Sequence, residues 1–384
     1  MSEVLDIIRE AGIVGCGGAG FPTHVKLAGD IKRLIINGIE CEPLLRTDRH
    51  IMRMHAKKLV IAANRLQAEL GIERCTFATK RSYGEEVREL TLAIKTIGVN
   101  TDLFLSDSYY PAGDEQNLVY EVTGRALPPG SIPLSAGCAV LNTATLLAVY
   151  DALDKGKAFH EKYLTVSGEV RTPCVLHVPL GTSFAQCIDM AGGTTVSGCI
   201  IVSGGPLMGA GFDYETGLRQ SVQKTTSGIL VLKRKSDAAD IKSMRVRSGA
   251  ACIQCSFCTE LCPRHLLGHP LEPHRIMRKF MYSGSKELDL DDPVIRSAAL
   301  CSECGVCEIY ACPMGLMPRR LNAMIKAGLR EKGIRLSKSE VSPVVHELRA
   351  SRRVPSKRIA ARAGVLPYYG REAADLTGDI KEDP

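Results

Sequence analysis

The chain has 384 residues, 45% of them hydrophobic, and this length predicts two to three domains rather than one core. No run predicts a membrane span, since even the most apolar stretch, 136–153, is interrupted by Asn142, Thr143, Thr145 and Asp151. The net charge of +7 is concentrated in 318–364, which contains thirteen Lys/Arg and only three Glu. This segment lacks interleaved aromatic residues, and their absence disfavours nucleic-acid binding. A solvated tail or a surface for an acidic partner is favoured instead.

Residues 1–155 alternate helix-like and strand-like segments. The N-terminus is acidic and amphipathic, unlike a secretory signal or a transit peptide. The segments predicted after it are a strand at 33–38, a helix at 55–71 that Gly71 ends, a strand at 73–80, a helix at 82–98 capped by Ser82, and a strand at 100–107. This alternation predicts an α/β sandwich, whose ligands gather at loops beyond the strand ends. The loops of this kind are the glycine run after residue 12, 37–43 and 109–117.

The glycine run, residues 15–20, reads Gly-Cys-Gly-Gly-Ala-Gly and matches the G-x-G-x-x-G pattern of a dinucleotide-binding loop. Its context disagrees, because a helix rather than a strand precedes it and Pro22 follows it. Only Glu40 falls near the acidic position that the pattern expects. Two other interpretations remain open: a tight loop without a ligand, and a cradle of backbone amides for a phosphate.

From residue 160 the segments become short and strand-like. The runs 162–170, 174–181 and 198–205, with a helix-like segment at 183–193, predict a β-grasp-like module. A polar linker follows at 233–240, and the region after 246 reads as helical around its cysteines. The last residues, 376–384, are typical of a disordered or truncated end.

Fifteen cysteines, an odd number without a leader sequence, favour a reducing cytosol and metal-bound thiolates over disulfides. Eight of them form two runs, C-x2-C-x2-C-x3-C-P and C-x2-C-x2-C-x4-C-P, the first of which is the ferredoxin spacing for a 4Fe–4S cluster. In two-cluster ferredoxins the fourth cysteine of each run binds the other cluster. The predicted ligand sets are therefore Cys252, Cys255, Cys258 and Cys312 for cluster 1, and Cys262, Cys301, Cys304 and Cys307 for cluster 2.

Zinc is the alternative for such cysteines, but it uses paired C-x2-C units. A third cysteine at the same interval, followed by Cys-Pro, occurs twice here and argues against zinc. The seven other cysteines have no ligand spacing and are expected to be small buried hydrophobes. They are Cys16, Cys41, Cys75, Cys138, Cys174, Cys187 and Cys199.

Four segments, GCGGAGFPTHVKL, NGIECEP, YPAGDEQ and VLNTATL, together with the two cysteine runs, resemble the flavin-binding subunit family of respiratory NADH dehydrogenase. They resemble more closely the C subunits of Rnf-type electron-transport complexes. The resemblance is greatest to the cobalamin reductases of propanediol-utilisation microcompartments, through CTELCPRHLLGH and CSECGVCEIYACP. It covers nearly the whole chain, and the middle module resembles the soluble-ligand-binding β-grasp (SLBB) domain.

The resemblance implies that the glycine run binds FMN rather than NAD. The FMN residues that it implies are Gly15, Gly17, Gly18, Lys26, Asn37, Glu40, Gly113, Asp114, Glu115, Asn142 and Thr145. Phe21 and Glu42 match positions that contact NADH, the electron donor. The chain departs from the family at Cys16, Ile39 and Gly29, where the relatives carry an arginine, an aspartate and a stacking aromatic. No catalytic acid, base or nucleophile is expected.

The function predicted from the resemblance is electron transfer from NADH through FMN and two 4Fe–4S clusters to cobalamin, in coenzyme B12 recycling during 1,2-propanediol degradation. The expected partners are cobalamin, an adenosyltransferase and microcompartment shell proteins, without nucleic acid or an integral membrane segment. The expected location is the cytoplasm, within a bacterial microcompartment. Two alternatives remain: an Rnf-type subunit passing electrons between NADH and ferredoxin, and a non-catalytic iron–sulfur electron carrier.

The predicted domains are an FMN/NADH-binding α/β domain at 1–158, the β-grasp module at 159–235, a two-cluster ferredoxin-like domain at 246–335 and a basic tail at 336–384. The resembled reductases continue into a further small β domain, whereas this chain ends at Pro384. The resemblance thus implies either a short natural form or a truncated chain.

Overall fold

The structure, a computed structural model, describes residues 3–233, 241–283, 288–336, 339 and 341–370. The chain forms two compact units. The first unit comprises 1–108, 133–234 and 365–384, and the second comprises 109–132 and 235–364. Most of the predicted linker, 234–240, and the predicted disordered end, 376–384, lie outside the described residues.

The strands in the described part of the chain are β1 (Arg33–Asn37), β2 (Arg74–Lys80), β3 (Thr101–Ser106), β4 (Tyr109–Tyr110), β5 (Cys138–Asn142), β6 (Glu161–Gly168), β7 (Cys174–Pro179), β8 (Cys199–Ser203), β9 (Ala210–Asp213), β10 (Gly228–Lys233) and β11 (Val354–Pro355). The α-helices there are α1 (Glu3–Glu10), α2 (Thr23–Leu27), α3 (Thr47–Leu70), α4 (Gly84–Ile97), α5 (Glu115–Thr123), α6 (Thr143–Lys155), α7 (Phe184–Met190), α8 (Tyr214–Leu218), α9 (Ile241–Ala251), α10 (Phe257–Glu260), α11 (Pro263–Leu266), α12 (Pro273–Tyr282), α13 (Pro293–Arg296), α14 (Pro318–Glu331), α15 (Ser356–Arg362) and α16 (Leu366–Tyr369). Val306–Ala311 forms a π-helical turn, and shorter 3-10 turns lie at Pro133–Ala136, Ser297–Leu300 and Glu347–Arg349.

The first unit contains a four-stranded parallel sheet in the order β3-β2-β1-β5. The apolar run of β1 is buried on both faces, as expected for a central strand of a parallel sheet, with Leu34, Ile35 and Ile36 fully inaccessible. Because the strands are parallel, their carboxyl ends meet at one edge, and this edge carries Asn37 and Asn142. The predicted α/β architecture is therefore confirmed.

Helices α3 and α4, in the same unit as this sheet, begin at residues other than those predicted. Helix α3 begins eight residues earlier than predicted, at Thr47, and has a kink at His55; it ends at Gly71, as predicted, because that glycine adopts a left-handed conformation with φ +65°. The predicted cap of α4 is wrong. The helix begins at Gly84 without a side-chain cap, since the Ser82 hydroxyl lies 2.9 Å from the Ser108 hydroxyl instead.

The first unit also contains a mixed sheet in the order β7-β6-β10-β8-β9, in which β6 and β10 are parallel neighbours. Helix α7 is stabilised at its start by a capping box between Ser183 and Gln186. This helix and the sheet enclose a core that includes Leu164, Phe184 and Ile229. The arrangement confirms the predicted β-grasp-like module.

The second unit is mainly helical, and α9 to α14 surround a core that includes Ile276, Phe280 and Leu321. Segment 109–132, which the sequence assigned to the first domain, contributes contacts to this unit because β4 pairs with β11 and Asn117 accepts a hydrogen bond from Arg349. Among the residues that the structure describes, no helix combines the length and the apolar character needed to cross a membrane.

Candidate functional site

The glycine run forms a closed loop between α1 and α2. Gly15 N–H donates to the Phe21 carbonyl at 2.9 Å, and Gly18 and Gly20 have φ of +107° and +65°, conformations that favour glycine. A Cβ atom at Gly17 would meet nothing closer than Asn142 Cβ at 3.8 Å, and one at Gly18 would meet nothing within 4 Å. Protein packing therefore leaves open space in front of Gly18, whereas a Cβ at Gly17 would be in ordinary van der Waals contact with Asn142.

The beginning of helix α6 holds this loop. Cys16 N–H donates to Thr145 Oγ1 at 2.9 Å, and both residues are buried. Asn142 caps α6 by accepting from Ala144 N–H at 2.9 Å. The predicted residues Gly17, Asn142 and Thr145 are thus brought together, with the Thr145 hydroxyl engaged in positioning the loop.

Lys26 and Asn37 lie on the elements beside this loop. Lys26 extends from α2, and its Nζ donates to the Val140 carbonyl of β5 at 3.0 Å. Asn37 ends β1, and its Oδ1 accepts from Ile39 N–H at 3.1 Å, which shapes the loop that leads to Glu40. Asn37 therefore lies at the carboxyl edge of the parallel sheet, and Lys26 contacts the neighbouring strand β5.

Glu40 is a buried carboxyl at this edge. Its Oε1 accepts from Asp48 N–H at 3.2 Å, while Oε2 has no hydrogen-bond partner among the described residues. Burial, reinforced by the neighbouring Asp48 carboxyl, raises the pKa of Glu40 to about 8. Lys80 donates to the Glu40 carbonyl at 2.9 Å. A largely neutral carboxyl with one oxygen left without a partner is suited to hydrogen bonding with a polar ligand.

Asp48, in the first turn of α3, was not among the predicted site residues but contacts one of them, Asn142. Its Oδ1 accepts from Asn142 Nδ2 at 2.8 Å and from Thr143 Oγ1 at 2.6 Å, so that it joins the start of α3 to the start of α6. Burial raises the pKa of its carboxyl. The available signal was an acidic residue in a first helical turn directly after the 37–43 loop, but the predicted helix began too late to reveal it.

The two residues predicted to contact NADH have different surroundings. Phe21 is 48% exposed, so it is not a core aromatic. The Glu42 carboxylate accepts from Leu207 N–H at 2.9 Å, in the β-grasp module, and packs against Gly205, where any Cβ would overlap it. At Gly29, a Cβ would lie 2.6 Å from the Leu134 side chain. Leu134 therefore occupies the space into which a side chain at position 29 would extend.

The predicted flavin residues Gly113, Asp114 and Glu115 belong to the second unit. Asp114 caps α5 through Asn117 N–H at 3.1 Å. Its two oxygens also form a bidentate pair with Arg264, both at 2.9 Å, and the two side chains are only 14% and 11% exposed. Since Arg264 follows Cys262 by two residues, this loop is tied to a cysteine run.

A second contact ties the same loop to the other cysteine run. The Tyr110 hydroxyl donates to the Cys304 backbone carbonyl at 2.7 Å in a buried environment. Cys304 and Cys262 belong to the same predicted ligand set, that of cluster 2. The 109–115 loop therefore holds the backbone around two of the four predicted ligands of this cluster.

The cysteine loops share one backbone pattern. In the first loop Gln254 and Ser256 have positive φ, and in the second the equivalent positions, Glu303 and Gly305, do the same. In each run, these left-handed residues stand immediately before and after the second cysteine. Such backbone turns bring cysteines spaced two apart round a common centre. Neighbouring groups donate to the sulfurs, among them Glu303 N–H to Cys301 Sγ at 3.3 Å.

The cysteines of the two runs are near neighbours in the second unit. The thiols of Cys252, Cys255, Cys258 and Cys312 line one small cavity. Burial, with the neighbouring Cys312, Cys255 and Cys252, raises the pKa of Cys258 to about 12. In the other set, burial raises the pKa of Cys262, with Cys304 and Cys301 as its cysteine neighbours. Cluster 1 ligands are half-buried, whereas the cluster 2 ligands are buried except for half-buried Cys301.

No preformed site for a single metal ion lies among the described residues, the two predicted cysteine sets included. Among the described residues, no three Cys, His, Asp or Glu side chains converge as ligands of a single metal ion would. Six of the seven other cysteines are buried, as predicted, but Cys41 is half-exposed, because it lies in the loop that follows β1.

Three family models match the chain: the Nuo51 FMN-binding domain at residues 8–151, the SLBB domain at 163–210 and the 4Fe-4S dicluster domain at 251–317. The cobalamin reductase PduS of Salmonella typhimurium is 36% identical, over all of this chain and 82% of the relative. A component of the Na+-translocating ferredoxin:NAD+ oxidoreductase complex of Acetobacterium woodii is 33% identical, over 68% of this chain and 57% of the relative.

Among solved structures, an NAD+-reducing NiFe hydrogenase in the H2-reduced state aligns with a TM-score of 0.59 and 20% identity. The alignment covers 86% of this chain and 62% of the hydrogenase chain. At this identity the likeness is one of fold.

Proposed function

Because the chain belongs to the family of the cobalamin reductase PduS, we propose that it is an oxidoreductase that passes electrons from NADH to a cobalamin, with FMN and two 4Fe–4S clusters as its cofactors. When bound, the flavin accepts a hydride from NADH, and iron–sulfur clusters carry the electrons onward singly. The chain's own residues bind these groups, orient them and control their surroundings.

The flavin cradle is formed at the carboxyl edge of the parallel sheet. The open space before Gly18 allows backbone amides to approach a phosphate, and Gly15, Gly17 and Lys26 are the proposed contacts beside it. The buried Glu40 Oε2 offers a polar atom for the ring system. The remaining proposed contacts in the first unit are Asn37, Asn142 and Thr145. Asp48 acts as a positioning residue through Asn142.

The single observation that carries the proposal is the anchoring of the 109–115 loop to the cysteine runs. This loop holds the proposed flavin contacts Gly113, Asp114 and Glu115. Through Tyr110 and Arg264 it also holds the backbone around Cys304 and Cys262. We therefore propose that electrons pass from the flavin to cluster 2 first, and then to cluster 1.

The two ligand sets support two clusters. Each predicted set takes three cysteines from one run and the fourth from the other, so that the runs would close around both centres jointly. Cysteine thiolates in this number and spacing fit iron–sulfur ligation.

The NADH site is the part of the proposal in which this chain differs most from the resembled family. Phe21 offers an exposed aromatic face for stacking. At the position where the resembled family carries a second stacking aromatic, this chain has Gly29, and the Leu134 side chain lies against it. The Glu42 carboxylate already accepts a hydrogen bond from Leu207 N–H. We therefore expect weaker NADH binding than two aromatic platforms would give. An adenosyltransferase partner and a microcompartment location stay predictions from the resemblance.

Anaerobic reconstitution with FMN, iron and sulfide tests the proposed function. The expected result is one FMN and eight irons per chain, with NADH-dependent reduction of cob(III)alamin. Ferredoxin and flavodoxin serve as comparison acceptors. A protein that holds one cluster, takes up no flavin, or reduces ferredoxin but not cobalamin would contradict the proposal. The ferredoxin result would favour the role of the ferredoxin:NAD+ oxidoreductase relatives.

A further inference from the structure

The second unit has an open cavity of about 650 Å³ beside the cysteine runs. This volume falls within the range of about 300–1,000 Å³ that is typical of small-molecule sites. Its lining includes two aromatic residues, Phe257 and Tyr310, and two arginines of α15, Arg358 and Arg362.

Three residues that line the cavity directly precede predicted cluster ligands, two of them in the set of cluster 1 and one, Leu261 before Cys262, in the set of cluster 2. Phe257 directly precedes Cys258, and the lining residue Ala311 directly precedes Cys312. Cys258 and Cys312 belong to different runs but to the same ligand set. A molecule in this cavity would therefore lie beside the segments that carry two of the four predicted ligands of cluster 1.

The walls combine apolar surface with positive charge. Phe257 is 53% exposed although it is a large hydrophobic residue. The lining residue Arg352 is paired with Glu260 at 2.5 Å. Arg358 and Arg362, one helical turn apart on α15, are exposed, and neither has an ion pair with a described residue. Two such guanidiniums on one helix face suit a phosphate group.

We propose that this cavity binds the electron acceptor, with the acceptor's phosphate on Arg358 and Arg362 and its macrocycle against Phe257 and Tyr310. The inference rests on the proposed function, under which the acceptor is a cobalamin, a corrin macrocycle that carries one phosphodiester. In each transfer, reduced cluster 1 loses one electron and the acceptor's cobalt gains one. NADH is the source of the electrons, and no covalent bond to the chain forms.

Equilibrium binding of two corrinoids to the oxidised holoprotein tests the site. The probes are cyanocobalamin, which has the phosphodiester, and dicyanocobinamide, which lacks it. The double variant Arg358→Gln/Arg362→Gln is expected to weaken cyanocobalamin binding by about tenfold or more, while cobinamide affinity stays unchanged. Phe257→Leu should weaken the binding of both probes. Arg330→Gln, an exposed arginine of α14 outside the cavity, is the matched control and should change neither.

Cluster and flavin contents, measured by EPR and absorbance, must equal those of the unaltered protein in every variant. Equal binding of cyanocobalamin by the double variant and the unaltered protein would overturn the site. An equal loss for both probes would overturn the assignment of the phosphate to the arginines. If the unaltered protein reduces cobalamin with NADH while the double variant keeps the same KM, the proposed function stands and the site fails. If the unaltered protein neither binds nor reduces cobalamin, both fail.

Discussion

Glu40 is a buried carboxyl whose protonation is linked to folding. Its Oε2 has no partner among the described residues, and burial raises its pKa from an ordinary value of 4.5 to about 8. The folded protein therefore retains a proton at neutral pH that the unfolded chain has released. A carboxyl that stays protonated can donate a hydrogen bond as well as accept one.

This linkage predicts a pH dependence of stability. Because folding raises the pKa of Glu40, its contribution to stability is fully present below pH 4.5 and is lost as pH rises from about 4.5 to about 8. In the flavin-free protein, Glu40→Gln should flatten this fall in the free energy of unfolding, measured by urea titration at several pH values. Glu69→Gln, at an exposed position of α3, is the control. An unchanged slope in Glu40→Gln would contradict the assignment.

Asp114 and Arg264 form the ion pair that joins the 109–115 loop to the first cysteine run. Because both side chains are nearly buried, the loss of one charge leaves the other without compensation. Asp114→Asn is therefore expected to lower stability by about 2 kcal/mol, seen as a lower urea midpoint of the holoprotein. Glu272→Gln, which removes the exposed pair with Arg275 in the same unit, should cost less than about 0.5 kcal/mol. Equal effects of the two substitutions would refute the buried role of Asp114.

At the scale of elements, the 109–115 loop and the cysteine loops set the proposed order of electron transfer. Tyr110 and Asp114 hold the cluster 2 side, where three of the four ligands are buried. All four predicted ligands of cluster 1 are half-buried, and the cavity beside two of them opens to the surface. This contrast predicts an inner cluster 2 and an outer cluster 1.

Removal of one cluster at a time tests this order. In Cys301→Ala, NADH should reduce the flavin but leave cluster 1 oxidised, while dithionite still reduces cluster 1. In Cys255→Ala, NADH should still reduce cluster 2, but cobalamin reduction should be lost. Freeze-quench EPR distinguishes these outcomes, with iron content as the control. NADH-dependent reduction of cluster 1 in Cys301→Ala would reverse the proposed order.

Element boundaries show where local patterns sufficed. The apolar run of β1 and the glycine after α3 predicted a buried strand and a helix end, since both features depend on neighbouring residues. Ser82 failed as a cap because Ser108 competes for its hydroxyl. The start of α3 was predicted too late, and so Asp48 was missed.

For the whole molecule, the two units separate most proposed flavin contacts from all predicted cluster ligands. The eight cysteines belong to the second unit, whereas eight of the eleven proposed FMN residues belong to the first. The proposed flavin cradle therefore takes most of its contacts from the unit that lacks the predicted cluster ligands.

This separation predicts the effect of iron removal. Protein prepared without iron should still bind FMN, within a few-fold of the holoprotein affinity, measured by flavin fluorescence quenching. NADH should still bleach the flavin in this protein, but electron transfer to cobalamin should be abolished. Readdition of iron and sulfide is the control and should restore the transfer. Loss of FMN together with iron would show that cradle and clusters are interdependent.

The residues in chain order sufficed for the α/β and β-grasp architectures and for the two cysteine runs, because strand and helix periodicity and ligand spacing are local properties. Only the tertiary structure revealed that Asp114 pairs with Arg264, that Tyr110 bonds to the Cys304 carbonyl, and that Leu134 fills the space above Gly29. Each of these contacts joins residues about 100 to 200 positions apart. No local pattern encodes such a pairing, since it depends on how distant elements pack in the folded units.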